Sequence, residues 1–285
     1  MNSPVPAQNA IARLPFLLKM MRKFNFSHKL GILERLFGKR IAQLGIVRVV
    51  LANGIIWKLD LAEPCQRWMV YGDYEGSHLI GWIRHWLRAG GIVVDSGANI
   101  GQTLVYYAAQ PDVMVFAFEP NETAADWLKE CLAYYPQWKV RIERKGLDNA
   151  NTTRTFQLAG AMSTTRVDWY KGKDYTLTSI KVQRLDDYME EHGINRIRLW
   201  KIDVEGAELN VLQGARNMLR RNCIDALIIE ISNQTYTEIR NLLSLYGYHL
   251  FTIGNNGHLL EYNEEQIQDT INVIALTGES GREIG

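Results

Sequence analysis

The sequence is poor in cysteine, and its cysteines form no motif. Cys65, Cys131 and Cys223 are far apart among the 285 residues, with no C-x-x-C pair. This spacing argues against a structural zinc site and favours a reducing compartment. We therefore expect a cytoplasmic protein without structural zinc.

Long apolar runs and a large net charge are also lacking. No stretch approaches the ~18 apolar residues of a membrane-spanning helix. Lys19, Arg22 and Lys23 interrupt the apolar stretch from Leu14 to Met21, so a clear signal peptide is not expected either. The formal net charge is +1, which gives no overall attraction to nucleic acid. Because 47% of the residues are hydrophobic, the chain can still build a globular core.

The charge is unevenly distributed along the chain. Residues 1–50 contain nine Lys or Arg and a single acid, Glu34. Apolar residues such as Leu17 and Met21 lie between these cations, which predicts basic amphipathic helices. The helices could pack on the rest of the chain or on a second subunit of a homodimer. They could instead make peripheral contact with anionic lipid or a glycolipid-borne substrate.

Two β-rich runs and an aromatic stretch follow. Asn53-Gly54 between the runs predicts a hairpin. Trp68 belongs to the aromatic stretch that comes next, close to Asp73 and Glu75. These side chains could belong to the core or could line one wall of a ligand pocket.

A buried strand followed by a glycine turn is the first motif with chemical meaning. The run 92–94 is apolar and β-branched, which predicts a strand buried on both faces of a parallel sheet. Asp95 ends this run, and Gly97 and Gly101 follow before a helix start. Backbone amides at a helix start bind anionic or hydrogen-bond-accepting groups, and glycines let a ligand approach the backbone. Taken alone, the motif fits a ligand loop and a plain turn equally well.

The turn lacks the second glycine of the dinucleotide-binding fingerprint, which helps to identify its ligand. The dinucleotide fingerprint G-x-G-x-x-G requires glycine at the position that Asn99 occupies. A loop that holds a pyrophosphate gains nothing from the carboxylate of Asp95, whereas the ammonium and sulfonium of S-adenosylmethionine are attracted to it. We therefore expect S-adenosylmethionine as the cofactor, with an NAD-dependent oxidoreductase as the less favoured alternative.

A second carboxylate ends the next predicted strand. The apolar run 113–118 ends at Glu119, 18 residues past Gly101. In nucleoside-binding doubly wound folds, an acidic residue about 20 residues beyond the glycine turn bonds the ribose hydroxyls. The alternative is a solvated carboxylate that caps a helix from Thr123. Carboxylates at the ends of two successive strands favour the ligand.

The rest of the chain alternates strands and helices. Further strands are predicted at 140–144, 197–202, 226–231 and 272–276. Leu147 and Asp148 follow the first of these, at the strand ends where doubly wound folds bind ligands. The Thr-rich segment 151–182 predicts an inserted antiparallel pair. It could form a lid with a mobile loop from 160 to 174, or a plain surface hairpin.

The segment KIDVEGAELNVLQGA, residues 201–215, is the second informative motif. Asp203 ends a strand, Glu205 lies in the turn, and a helix is expected from Gly206. Glu230 lies inside a later apolar strand, where a carboxylate costs several kcal/mol unless it is paired. We expect these carboxylates to supply a general base, Asp203 first. Glu205 and Glu208 could instead cap the helix.

Three motifs in this order, VVDSGANIG, FEPNETAADWL and KIDVEGAELNVLQGA, resemble the FkbM-type S-adenosylmethionine-dependent methyltransferases. The resemblance implies O-methylation of a hydroxyl on a sugar, glycolipid or secondary-metabolite scaffold. It also implies a Rossmann-like class I methyltransferase α/β fold, with a mostly parallel seven-stranded sheet and an antiparallel last strand. Residues 71–285 would form this domain, and residues 1–70 would form a helical and hairpin extension.

The resemblance assigns roles to individual residues. It places the methionine part of the cofactor at the glycine turn, the ribose at Glu119 and the adenine at the loop after the third strand. No residue is predicted as a metal ligand, although Mg²⁺ could activate the acceptor in place of a base. A non-catalytic S-adenosylmethionine-binding regulatory protein is the alternative from another class. The expected cofactor-binding residues are Asp95, Gly97, Asn99, Gly101, Glu119, Leu147 and Asp148, and the expected catalytic residues are Asp203, Glu230 and Glu205.

Overall fold

A mostly parallel β-sheet forms the centre of the molecule and aligns the ends of its strands along one edge. The computed structural model describes residues 11–72, 76–158, 176–254, 257–262 and 271–278. Before the sheet, the chain forms short helices and one hairpin. These elements are α1 (Phe16–Met21), α2 (Lys29–Leu33), a π-helical turn (Glu34–Gly38), α3 (Lys39–Ala42), β1 (Ile46–Val50), β2 (Ile56–Asp60), α4 (Pro64–Tyr71), α5 (Ser77–Trp86) and a 3₁₀ turn (Leu87–Ala89).

Strands and helices then alternate to the end of the described chain. The first half contains β3 (Gly91–Ser96), α6 (Leu104–Tyr107), β4 (Val113–Phe118), α7 (Glu122–Leu132), β5 (Lys139–Glu143), β6 (Gly146–Leu147), β7 (Thr152–Leu158) and β8 (Thr176–Gln183). The second half contains α8 (Leu185–Glu191), β9 (Leu199–Ile202), α9 (Glu208–Gln213), α10 (Arg216–Arg220), β10 (Ala226–Ile231), α11 (Tyr236–Ser244), β11 (Tyr248–Ile253), β12 (Leu259–Glu261) and β13 (Ile271–Thr277).

The strand order confirms the predicted fold class. The large sheet runs β12-β11-β13-β10-β9-β3-β4-β5. Strands β10, β9, β3, β4 and β5 are parallel, whereas β13 is antiparallel to both β10 and β11. Among the described residues the sheet has eight strands where seven were expected. The eighth, β12, pairs antiparallel with β11 at the edge of the sheet.

The sheet brings the carboxyl ends of β3, β4 and β9 together. Strand β3 lies between β4 and β9, and all three are parallel. Their buried, largely β-branched and aromatic side chains favour strands covered on both faces. Asp95 is the second-last residue of β3, and Glu119 and Asp203 directly follow the last residues of β4 and β9. The positions predicted to carry chemistry therefore meet at one edge.

The N-terminal segment packs on the turn that follows β3. The predicted hairpin is confirmed, with β1 and β2 antiparallel around Asn53-Gly54. Trp57 on β2 is fully buried, and its indole Nε1 donates a hydrogen bond to the carbonyl of Ile100 at 2.9 Å. Side chains on both sides of residue 70 belong to one apolar cluster. The domain boundary at that residue stays a prediction.

The predicted insertion forms a small sheet of its own. Strands β7 and β8 pair antiparallel, and the short strand β6 runs parallel to β8. The loop expected between residues 160 and 174 lies outside the described residues. In the chain, two residues separate this small sheet from β5, the strand at the parallel edge of the large sheet.

The helix expected from Gly206 is instead two short helices, α9 and α10. The first helix ends just before Gly214, where an added Cβ would overlap the backbone oxygen of Asp148. This close approach of two backbones is a tertiary contact that helical periodicity does not report. The side chains predicted to face inward, such as Val211 and Leu219, are nevertheless fully buried. Within the described ranges, no helix has the length and apolar character needed to cross a bilayer.

Candidate active site

A cavity of about 280 Å³ opens at the carboxyl ends of β3, β4 and β9. Its walls come from the turns after these strands, from α4 and from the inserted sheet. The charged lining residues are Asp95, Glu119, Lys201, Asp203 and Glu205. Four carboxylates and one ammonium therefore face this space, which favours a cationic ligand.

Asp95 is the most deeply buried of these carboxylates, with 1% of the residue exposed. The hydroxyl of Tyr107 on α6 donates a hydrogen bond to its Oδ2 atom. On the neighbouring strand β9, Lys201 is the register partner of Asp95. A buried carboxylate requires such donors and charges around it. Tyr107 therefore helps to hold a carboxylate that faces the cavity.

Glu119 bridges two turns through its carboxylate. Its Oε2 accepts a hydrogen bond from the backbone N–H of Asn99 at 2.8 Å, and its Oε1 accepts one from Asn121 at 2.7 Å. Burial raises the pKa of Glu119 to about 7, an effect that the two N–H groups oppose and the charge of Asp95 reinforces. The reading of Glu119 as a solvated helix cap is wrong, because the side chain of Asn121 caps α7.

The glycine turn approaches the end of β9 very closely. Gly97 has a φ of +83°, and a Cβ at this position would overlap the backbone oxygen of Asp203. Only glycine combines this left-handed backbone with the contact. The turn after β3 and the turn after β9 therefore share one wall of the cavity.

The amides of this turn are already bonded within the protein. The N–H groups of Gly97 and Ala98 both donate to the carbonyl of Phe118, and that of Gly101 donates to Ala98. The N–H of Asn99, which has a φ of +47°, donates to Glu119. The helix behind the turn, α6, is one turn long. These four N–H groups are therefore not free to bind a ligand, contrary to what the motif suggested.

Gly101 lies away from the cavity. A Cβ there would come within 2.7 Å of the Trp57 ring and 2.9 Å of Leu128, and its φ is +89°. Gly101 is not among the residues that line the cavity. The structure therefore places it in the packing between the turn and the N-terminal hairpin, while its predicted contact with the cofactor stays a prediction.

Lys201 and Asp203 form an ion pair inside the cavity wall. The Lys201 Nζ lies 2.7 Å from the Asp203 Oδ2, and only 4% of the lysine side chain is exposed. Asp203 is more open, with 23% of its side chain exposed. The lysine therefore fixes one oxygen of the carboxylate that was predicted as the base, while the carboxylate remains accessible.

The carboxylate of Glu208 accepts hydrogen bonds from the backbone of the turn after β9. Its Oε1 accepts hydrogen bonds from the backbone N–H groups of Gly206 at 2.9 Å and Val204 at 3.2 Å. Burial raises the pKa of Glu208 to about 7. Glu208 lies in the first turn of α9, where a carboxylate suits the helix dipole, but it bonds the turn before the helix, and α9 has no side-chain cap hydrogen bond. Glu205 lies in the same turn with a φ of +54° and lines the cavity.

Glu230 is not among the residues that line the cavity. It sits on β10, half-buried, opposite Asn272 of β13. Burial raises its pKa, and the nearby carboxylates of Asp203, Glu205 and Glu208 raise it further, while Lys201 opposes them. The residue thus tends to keep its proton, which weakens its case as a base at neutral pH.

The two residues predicted at the adenine are separated in the structure. Leu147 is buried and lines the cavity. Asp148 lies outside the lining, where its Oδ2 pairs with the Nε of Arg154 at 2.6 Å and its Oδ1 accepts from the backbone N–H of Asn149. Arg154 belongs to β7, and the local sequence around Asp148 does not indicate that the two side chains pair.

Apolar side chains from outside the strand ends complete the cavity. Phe156, Ile180 and Val182 reach it from the inserted sheet. Cys65 and Trp68 reach it from α4, so one of the aromatics predicted for a pocket wall does line the cavity. The nearby acids predicted with it, Asp73 and Glu75, lie outside the described residues. In the described ranges, no group of three or more His, Cys, Asp or Glu side chains could hold a metal ion.

Comparison with known families identifies residues 95–250 as a methyltransferase FkbM domain. The match covers more than half of the chain, from Asp95 on β3 to Leu250 on β11. The chain belongs to the FkbM methyltransferase family. Membership confirms the resemblance seen in the three motifs, all of which lie in or overlap the matched region.

Three named relatives of this FkbM-family protein are 26% to 30% identical to it over the aligned residues. Methyltransferase 1 of Beauveria bassiana is 26% identical over 178 residues, 55% of this chain and 71% of the relative. Hexuronic acid methyltransferase AglP of Haloferax volcanii is 30% identical over 140 residues, 49% of this chain and 55% of the relative. The 31-O-demethyl-FK506 methyltransferase FkbM of Streptomyces tacrolimicus is 29% identical over 169 residues, 48% of this chain and 64% of the relative. The alignments therefore span less than two thirds of two of these three relatives.

Two polar residues of the FkbM-family site were missed from the sequence. Asn121 directly precedes the first helical residue, Glu122, and Asn is a preferred N-cap, so a local signal existed. Tyr107 gave no such signal, because its partner Asp95 is twelve residues away in the chain. Only the packing of α6 on the sheet brings this pair together.

Proposed function

We propose that this protein transfers a methyl group from S-adenosylmethionine to a hydroxyl of a sugar, glycolipid or secondary-metabolite scaffold. The observation that carries the proposal is the cavity at the strand ends, where four carboxylates and one ammonium face a single space. Family membership supports the same reaction class. A donor that is cationic at its sulfonium and its ammonium suits this balance of charge.

The residues present fit such a donor. Each Glu119 oxygen accepts one backbone N–H and keeps a second lone pair, so the carboxylate can also accept two ribose hydroxyls. Asp95 faces the same space and suits the amino-acid ammonium. Leu147, with Phe156 and Ile180 of the inserted sheet, offers apolar walls for a base. The cavity volume lies near the lower end of the roughly 300–1,000 Å³ typical of ligand sites.

The chain's own task is then to align and deprotonate the acceptor. When bound, S-adenosylmethionine supplies a methyl group that its sulfonium has already activated. Holding the acceptor oxygen in line corresponds to effective molarities of roughly 10⁵–10⁸ M. Asp203 is the proposed base, because it lines the cavity, 23% of its side chain is exposed, and Lys201 orients its carboxylate. A base in this position typically contributes about 10²–10⁴-fold.

The relatives support a hydroxyl-bearing acceptor. The name of one relative specifies a hexuronic acid, and that of another specifies an O-demethyl position on FK506. Trp68 and Cys65 of α4, together with the inserted sheet, line the cavity and form the walls that we propose an acceptor would meet. We therefore place acceptor selection in these two elements.

Calorimetry with S-adenosylmethionine and, separately, with NAD⁺ tests the donor. Binding of S-adenosylmethionine alone is the expected result. Binding of NAD⁺ alone would point to an oxidoreductase and would contradict the proposal. Transfer of labelled methyl groups to a panel of sugars and hydroxylated macrocycles then separates an enzyme from a regulatory binding protein.

The Asp203→Asn variant tests the base. We expect it to bind the donor with wild-type affinity and to lose about 10²–10⁴-fold in turnover. Glu238→Gln, on the exposed face of α11, is the matched control and should keep full activity. Unchanged turnover of Asp203→Asn would dismiss Asp203 as the base.

A further inference from the structure

Large apolar side chains are exposed mainly in the N-terminal segment. Among the residues that the structure describes, ten of the sixteen exposed large apolar side chains lie between positions 11 and 50. Phe16 is 74% exposed, Phe24 62% and Leu17 57%. Contiguous exposed apolar surface of this kind marks interaction sites in soluble proteins.

These side chains share one face of a firmly packed helix. Phe16, Leu17 and Met20 on α1 lie within one arc of the helix, and Phe24 follows just past its end. On the opposite face Leu18 is fully buried. The exposed face is therefore a stable feature of the fold rather than a loose end.

A buried arginine anchors the end of this helix. The guanidinium Nη1 of Arg22 donates to the carbonyl of Val50 at 2.8 Å and to that of Val70 at 3.3 Å, and its Nη2 donates to Leu51 at 3.3 Å. These bonds tie the end of α1 to the hairpin and to α4. The apolar face beside it is thus held in a fixed direction.

Cations surround the apolar face, and the one acid of residues 11–50 is bonded elsewhere. Arg13, Lys19 and Lys23 are exposed on α1 and its flanks, and Arg35, Lys39 and Arg40 are exposed a little further on. Glu34 is the single acid in residues 1–50, and its carboxylate is engaged by Arg67 at 2.5 Å and by the Tyr71 hydroxyl at 2.7 Å. We define the α1 surface as Arg13, Phe16, Leu17, Lys19, Met20, Lys23 and Phe24.

We propose that the α1 surface docks on an anionic lipid bilayer. Phenylalanine and leucine insert at the boundary between headgroups and acyl chains, while the lysines lie at the level of the phosphates. Charge complementarity favours this occupant over a second copy of the chain. A two-fold contact would place each cation of the α1 surface against the same surface of its partner.

The N-terminal segment that carries the α1 surface is bonded to α4, which forms part of the cavity wall. Arg22 at the end of α1 donates to the carbonyl of Val70 on α4, and Glu34 of the π-helical turn also bonds this helix. Arg67 and Tyr71, the partners of Glu34, lie on α4, and the same helix carries Cys65 and Trp68 into the cavity. Docking at α1 therefore holds the cavity next to the bilayer through a short chain of packed, hydrogen-bonded residues.

Co-sedimentation of the full-length protein with vesicles tests the proposal. We expect binding to vesicles of phosphatidylcholine mixed with phosphatidylglycerol, little binding to phosphatidylcholine alone, and release by high salt. Lys19→Glu with Lys23→Glu should weaken binding about 25-fold or more, since each cation near an anionic surface contributes about fivefold. Phe16→Ser with Phe24→Ser should weaken it more than tenfold.

Matched variants elsewhere on the surface serve as controls. Lys129→Glu removes an exposed cation from α7, and Leu245→Ser removes a leucine that is 79% exposed. Both should bind vesicles like the wild type. Because none of these substitutions touches the cavity, calorimetry with S-adenosylmethionine should give the same affinity for all variants and confirms that each is folded.

Two results would overturn the proposal. One is the absence of vesicle binding, or binding that the α1-surface variants do not reduce. The other is a dimer, seen by light scattering in the absence of lipid, that the phenylalanine variants dissociate. That result would assign the α1 surface to a contact between copies of the chain.

Discussion

Gly97→Ala is the substitution that tests the architecture of the site most sharply. Gly97 has a φ of +83°, and an added Cβ would overlap the backbone oxygen of Asp203 and lie 3.0 Å from its carbonyl carbon. Neither the backbone oxygen nor the carbon can rotate away. The turn after β3 must therefore separate from the turn after β9, which carries the proposed base.

The size of the effect follows from two contributions. Holding alanine in the left-handed region costs about 1–2 kcal/mol. Forcing a methyl group into a close-packed contact costs about 1–3 kcal/mol more. We expect the free energy of unfolding of Gly97→Ala to fall by roughly 2–5 kcal/mol. Affinity for S-adenosylmethionine should fall at least tenfold, because the cavity wall shifts.

Gly193→Ala is the matched control for the backbone contribution. Gly193 has a φ of +63°, and nothing lies within 4 Å of an added Cβ. This variant should lose only the roughly 1–2 kcal/mol of the left-handed backbone and should bind the donor normally. Urea unfolding and calorimetry measure both quantities. Equal destabilisation of the two variants, with wild-type donor affinity in both, would refute the close contact between the turns.

Three further predictions concern buried polar groups. Burial raises the pKa of Glu208 to about 7, so the folded state favours its protonated form. This contribution to stability is lost as the pH rises from about 4.5 through about 7. In urea titrations, Glu208→Gln should reduce this fall in the free energy of unfolding by about 3 kcal/mol. Tyr107→Phe removes the donor to Asp95 and should lower the free energy of unfolding by roughly 1–3 kcal/mol, whereas an unchanged unfolding curve would refute that bond's importance. The pKa of Glu119 is also raised to about 7, and its ionised form is the better acceptor for ribose hydroxyls. Calorimetry should show donor affinity falling as the pH drops through about 7, and no such trend in Glu119→Gln.

Sequence patterns predicted the elements whose residues act locally. The apolar β-branched runs before Asp95 and Glu119 became buried neighbouring strands, since periodicity and branching report burial directly. The hairpin at Asn53-Gly54 was also predicted correctly from its pattern, and the antiparallel last strand from the family resemblance. The carboxylates at strand ends share a cavity because parallel strands end at one edge of the sheet.

Contacts across the chain were beyond sequence reasoning. Gly214, between α9 and α10, lies against the backbone of Asp148, and Gly101 lies against Trp57 on a distant hairpin. The turn amides were expected to face a ligand, but the carbonyl of Phe118 accepts two of them. In each case a tertiary partner decides the outcome, and no local pattern encodes that partner.

A crystal structure with bound S-adenosylhomocysteine tests the central claim most directly. We expect the ribose hydroxyls within hydrogen-bond distance of the Glu119 carboxylate and the amino-acid portion beside Asp95, in the cavity at the ends of β3, β4 and β9. A ligand bound elsewhere, or one seated in this cavity without contact to either carboxylate, would contradict it.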